Sequence, residues 1–317
     1  MRQRPARIII LALLILGVPV IALAQAPTSV TLSSTLVTGG TPVTGEVRLT
    51  GPAPAGGLAV QLSSSNTAVA SFQQPFVTVT ASATMASFVI KTSAVADQRT
   101  VSITATAGGV MKAAQLSVHP PAVSSLTLPN SVTGGTDARG ELFLNGPPPA
   151  GGLNIGISSS RPDVAEYRNA SLQPVSIGAG NYKYKFTIKT SPVLAPTIVR
   201  ITAGTNYGSK TADLSVVAVA PSSVVLAPIT VTGGRASSGT VVLTGPAPQG
   251  GFGIALASSN TAVATVPPSV TVPQGATHTS FTVTTAPVGK STHADVVASL
   301  GGVTKTARLN VVAPILA

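Results

Sequence analysis

One cassette is written three times in this chain. VTGGTPVTGEVRLTGPAPAGG starts at Val37, SVTGGTDARGELFLNGPPPAGG at Ser131 and TVTGGRASSGTVVLTGPAPQGG at Thr230. The glycine pairs Gly39/Gly40, Gly134/Gly135 and Gly233/Gly234 stand 95 and then 99 residues apart, and Gly56/Gly57, Gly151/Gly152 and Gly250/Gly251 keep the same spacings. Solenoid coils repeat every 20–50 residues, so a period near 95 is that of a whole small domain. The chain is therefore expected to be an array of three homologous modules.

The secondary-structure signal has period two. In Glu46-Val47-Arg48-Leu49-Thr50 apolar and polar residues alternate, and Phe88-Val89-Ile90-Lys91 and Phe281-Thr282-Val283-Thr284 repeat the pattern. Val, Ile and Thr dominate, and no segment sustains a helical period. This predicts an all-β sandwich in each module. In the first module the strands fall near 29–33, 43–50, 58–64, 68–72, 76–80, 86–92, 99–106 and 110–118. Ala107-Gly108-Gly109, Asn206-Tyr207-Gly208 and Leu300-Gly301-Gly302 occupy one place and read as hairpin turns. The GPxPxGG segment reads as a stiff corner, since proline cannot donate to a ladder. Short linkers, Val118-His119-Pro120-Pro121-Ala122 and Val217-Ala218-Val219-Ala220-Pro221, predict a semi-rigid rod. With about 3.3 Å per strand residue, a module spans roughly 35–45 Å and the array on the order of 100–130 Å.

The N-terminus reads as an export signal. Arg2, Arg4 and Arg7 precede an apolar run from Ile8 to Ala24, and Ala22-Leu23-Ala24 is a small-x-small cleavage site before Gln25. The alternative is an uncleaved anchor, the only route by which the membrane enters this reading. The expected divisions are a signal peptide at 1–24 and sandwich modules at 25–119, 120–218 and 219–317. No cysteine is present, so each module must stand on its own apolar core. Without the three leader arginines, 16 basic residues face 8 acidic ones. That surplus is modest for the length and does not predict a nucleic-acid partner.

Ser64-Ser65-Asn66-Thr67-Ala68-Val69-Ala70 and Ser258-Ser259-Asn260-Thr261-Ala262-Val263-Ala264 share a motif, with Ser159-Ser160-Arg161-Pro162-Asp163-Val164-Ala165 between them. The motif resembles the SSNPAVATV-like stretch of bacterial immunoglobulin-like (Big-type) repeats, and the resemblance covers all three modules. It implies an all-β fold of three tandem Ig-like β-sandwich modules in an elongated array. It also implies a surface, adhesive or cell-envelope setting, in which such repeats commonly act as spacers.

Sites for chemistry are sparse. His119, His278 and His293 lack zinc-ligand spacing, and His293-Ala294-Asp295 reads as surface. Calcium needs six to eight oxygens, and Asp163 and Glu166 could share one only with the help of loop carbonyls; otherwise they read as solvated charges. Asp137 and Glu141 have no acidic counterparts in the third module, where Arg235 and Gly239 come nearest. No Gly-x-Ser-x-Gly elbow occurs. The reading is of a non-enzymatic protein with no catalytic residue, no cofactor and no metal.

The second module differs from its neighbours. It holds all four tyrosines, Tyr167, Tyr182, Tyr184 and Tyr207, and an insert near 171–181. In its strand Tyr182-Lys183-Tyr184-Lys185-Phe186-Thr187-Ile188-Lys189, alternation places Tyr182 and Tyr184 inward and Lys183, Lys185 and Lys189 outward. Those lysines either protect an edge or face, or form a stripe for a polyanion such as an acidic glycan. The function expected is an exported structural or adhesive rod at the bacterial envelope or outside the cell. Its partner would be a cell-surface polysaccharide or another envelope protein. Alternatives are carbohydrate binding by the second module, or an assembly that pairs sheet edges between chains.

Overall fold

The computed structural model describes residues 25–314, so the expected leader lies outside the described residues. The first module runs β1 (Pro27–Leu32), β2 (Leu36–Thr38), β3 (Val43–Leu49), β4 (Leu58–Ser64), β5 (Ala70–Phe72), β6 (Phe76–Val79), β7 (Met85–Thr92), β8 (Arg99–Ala107) and β9 (Val110–His119). They form two sheets, ordered β1-β3-β7-β5 and β2-β9-β8-β4-β6. The second module, from Val123–Thr127 to Gly208–Val217, repeats both orders, as does the third, from Pro221–Ala227 to Val303–Val312. The fold is all-β: three tandem Ig-like β-sandwich modules. One short 3-10 turn, Ala170–Leu172, sits in the insert of the second.

Alternation builds the cores. Strand β3 buries Val43, Gly45, Val47 and Leu49 and turns Thr44 and Arg48 to solvent. Three separate apolar clusters result, around Val47, Ile90, Ile103 and Leu116, around Leu142, Ile155, Ile188 and Leu214, and around Val241, Ile254, Val283 and Leu309. Each fully buried side chain of this kind contributes about 1.5–3 kcal/mol of gross burial. The only buried polar side chains among the described residues, Thr190, Ser237 and Thr285, are all hydrogen-bonded.

The sequence reading misses one strand per module. Strand β2 pairs in parallel with β9, Leu36 opposite Ser117 and Thr38 opposite His119. Three residues are too few to show alternation, and the partner lies some 80 positions away. Through β2 the chain crosses from one sheet to the other, so the module closes on both flanks. The same parallel pairing recurs at Ser131–Thr133 and Thr230–Thr232.

A glycine faces a phenylalanine across neighbouring strands in all three modules: Gly45 and Phe88, Gly140 and Phe186, Gly239 and Phe281. A Cβ on these glycines would stand 2.4, 2.3 and 2.2 Å from the ring. Each ring lies where its partner has no side chain, which restores the packing that a strand glycine otherwise forfeits.

The SSN motif closes a strand pair. Ser65 N–H donates to the Ser102 carbonyl and its Oγ accepts from Ser102 N–H at 2.9 Å. Ser160 with Arg200 and Ser259 with Asp295 do the same. The carbonyls of Asn66, Arg161 and Asn260 then accept from the next turn. The motif is thus accounted for by local structure.

Candidate functional site

The strand Lys183–Thr190 lies between Ala138–Leu144 and Ala165–Tyr167, second from the sheet edge. Its lysines cover a face, and Lys183 and Lys185 also stand on the half of the strand that has no ladder partner beyond Ala138–Leu144, an open edge. Lys183, Lys185 and Lys189 are all exposed, with exposed Arg139 on the adjoining strand. Carboxylates interleave with them: Glu141 is the cross-strand partner of Lys185, and Glu166 that of Lys189. Lys183 stands opposite Phe143, 37% exposed, and has no acidic partner in the ladder. The face is mixed in charge, with its cationic surplus at the Lys183 end. A shallow hollow on it is lined by Thr127, Leu128, Arg139, Glu141, Lys185 and Thr187.

The two tyrosines of this strand part company. Tyr184 packs against the core, and its hydroxyl meets that of Tyr167 at 3.1 Å. That hydrogen bond, with burial second, pushes the Tyr184 phenol up to about 12. A raised phenol favours the neutral folded state; this contribution is complete below about pH 10 and is lost as pH rises towards 12. Tyr182, expected inward, is 52% exposed. It stands one residue before the strand, held only by its backbone carbonyl, which accepts from Leu144 N–H at 2.8 Å.

The candidate ligand sets resolve into ion pairs. Arg161 grips both oxygens of Asp163, at 3.0 and 2.8 Å, and holds its carboxyl below the usual range. That leaves no free carboxylate there for a cation shared with Glu166. Arg308 grips Asp295 at 2.9 and 3.2 Å, which takes it from His293. Arg200 and Asp213 pair at the same register with the charges exchanged. Asp137 pairs with Arg168. In each depressed carboxylate the folded state favours the charged form, so its small contribution is present at neutral pH and lost as pH falls below about 4. Among the described residues no three His, Cys, Asp or Glu side chains cluster as a metal site, and no helix is long and apolar enough to cross a membrane. Several sheet edges are short: β2 and β5 hold three residues each and β6 holds four.

The joints carry the geometry that sequence reasoning missed. At the first, a Cβ on Gly146 would meet Thr38 Cγ2 at 2.7 Å and the Gly39 carbonyl at 3.2 Å, and one on Gly40 would meet Pro147 at 2.7 Å. At the second, Gly245 stands against Thr133 Cγ2 at 2.8 Å and the Gly134 carbonyl at 3.0 Å, and Gly135 against Pro246 at 2.6 Å. The Thr-Gly-Gly of each module thus seats the Gly-Pro corner of the next. The second glycine also needs a left-handed backbone, φ +91° at Gly40 and +82° at Gly135. Thr92 pins this turn by accepting from Gly40 N–H at 3.0 Å and donating to the Thr41 carbonyl at 2.7 Å. Three residues, Pro120, Pro121 and Ala122, separate β9 from the next strand. The first joint adds a second bridge. Tyr207 accepts at its hydroxyl from Gln98 N–H at 3.2 Å, and its ring meets His119 edge-on at 6.2 Å. In the third module a glycine, Gly302, takes the place of Tyr207 in the same hairpin. The signal was present in the repeated TGG and GP pairs, but spacing alone does not say that one grips the other.

No protein-family model and no curated protein matches the chain. Among solved structures it is similar to domains A168–A170 of titin, at 12% identity and TM-score 0.37 over 92% of this chain and 98% of that one. The titin I9–I11 tandem is similar at 13% identity and TM-score 0.29 over 90% and 100%. The ICAM-5 D1–D4 ectodomain fragment is similar at 11% and 0.29 over 90% and 76%.

Proposed function

We propose that this chain is an exported, non-enzymatic rod of Ig-like modules with a structural or adhesive role at the bacterial envelope or outside the cell. The observation that carries the reading is the joint made twice from the same atoms. Linkers of three residues, Pro120-Pro121-Ala122 and Ala218-Val219-Ala220, and a Gly-Pro corner seated on Thr-Gly-Gly favour a fixed module-to-module angle. Carboxylates held by arginines and a mixed-charge face suit a protein that works by spacing and display, with no cofactor. Its partner would be a surface polysaccharide or another envelope protein. The export arm is tested by expressing the full chain in a bacterium and sequencing the N-terminus of the protein recovered outside the cytoplasm. The expected first residue is Gln25; intact Met1 on a membrane-bound product would overturn it.

A second reading rests on the exposed cations Arg139, Lys183, Lys185 and Lys189 of one face. In it, that face takes an acidic polysaccharide. Retention on a heparin column should then fall steeply with salt, because exposed charges are screened over about 8 Å at physiological ionic strength. Replacing Lys183, Lys185 and Lys189 together by Gln should abolish retention without lowering the unfolding temperature, since solvent-facing changes cost little. Unchanged retention of the triple variant would reduce the reading to general cationic stickiness.

A further inference from the structure

We propose that the cleft between the first and second modules is a binding site for a neutral saccharide. The cleft holds about 600 Å³, within the range of small-molecule sites. Ala96 and Asp97 line it from the first module, and Asn154, Gly156, Asn206 and Tyr207 from the second. Asp97, Asn154, Asn206 and Tyr207, four of the residues lining it, are all exposed.

The hollow exists because side chains are missing. Gly156 and Gly204 are cross-strand partners in the second module. The same register holds Gln61 and Thr106 in the first module and Ala255 and Ser299 in the third. Gly204 is required by the fold, since a Cβ there would stand 2.4 Å from Ser209. Gly156 is not: the nearest atom to an added Cβ is the Gly204 carbonyl at 3.8 Å, and its φ is not left-handed. A strand glycine with no steric reason costs stability and marks a place where something approaches the backbone.

The chemistry of the walls selects the ligand. Among the residues lining the cleft, Asp97 is the one carboxylate, which is too few for calcium, and the Arg99 guanidinium 3.8 Å from it balances its charge, so the walls carry no net charge to select a phosphate or an acidic sugar. The walls are mostly polar, which disfavours a lipid or an apolar peptide. A carboxylate that accepts, two amides that both donate and accept, and a phenol whose proton is free to donate while its oxygen accepts from Gln98 together suit a set of hydroxyls. The Tyr207 ring supplies a surface for the C–H face of a pyranose. A ligand here touches both modules and adds to the bridge across the first joint.

The test uses the full three-module protein. A panel of neutral di- to pentasaccharides of glucose, galactose, mannose and N-acetylglucosamine is screened, and the best binder is titrated by calorimetry. Asp97→Ala and Gly156→Val should each weaken binding about tenfold or more, the first by losing a charge-assisted hydrogen bond and the second by filling the hollow. Ala255→Val, at the register position of Gly156 in the third module, should bind as the parent does. Thermal unfolding should be unchanged in Asp97→Ala, and unchanged or raised in Gly156→Val. The proposal is overturned if no saccharide of the panel binds at millimolar concentration, or if both cleft variants bind undiminished, or if Ala255→Val loses binding equally. Scattering measures the rod independently, so failure here leaves that reading standing.

Discussion

A single hydrogen atom at Gly45, Gly140 and Gly239 decides where three phenylalanine rings sit. With 2.2–2.4 Å to the ring from an added Cβ, alanine at these positions must push a core aromatic aside. Gly140→Ala should therefore cost about 1–3 kcal/mol, the usual penalty of overpacking. The readout is convenient: there is no tryptophan, and all four tyrosines lie in the second module. Tyrosine fluorescence during urea unfolding of the full chain thus reports that module. Gly151→Ala, in the same module and with nothing within 4 Å of the added Cβ, should leave the transition in place or raise it slightly. Equal midpoints for parent and Gly140→Ala would show that the ring does not depend on the glycine. At this scale the sequence was half legible. The alternation of Lys183, Lys185 and Lys189 against Phe186 and Ile188 is a local property, and the structure agrees with it. The arginine partners of Asp163 and Asp295 and the exposed place of Tyr182 depend on where rotamers reach and on how far the core extends along the strand.

Among the elements, the long strands were readable because each carries enough residues to show its period. The three-residue parallel strand Leu36–Thr38 was not, since its hydrogen bonds come from the far end of the module. The joint was hidden for the same reason: TGG and GP each read as turn chemistry, and only the fold brings one against the other. This yields a test of the joint itself. Gly146→Val should unseat the corner from Thr38 and loosen the angle between the first two modules, whereas Gly51→Val meets only the flexible side chain of Gln25, at 3.0 Å. Solution scattering of Gly146→Val should show the profile of a hinged chain, and Gly51→Val that of the parent. Identical profiles for all three would mean that the corner does not set the angle.

For the whole molecule, the spacing of glycine pairs was enough to anticipate three repeated sandwiches, because duplication writes its period directly into the chain. Activity left no such trace. The cleft at the first joint draws Asp97 and Asn154 from different modules, and no motif links them in sequence. The central claim is that three sandwiches, each on its own core, are held in line by joints of one design. Small-angle scattering of the protein from Gln25 onwards tests it most directly. A maximum dimension on the order of 100–130 Å is predicted, from strands rising about 3.3 Å per residue; roughly 60–70 Å, the size of a single compact body of this length, would contradict it.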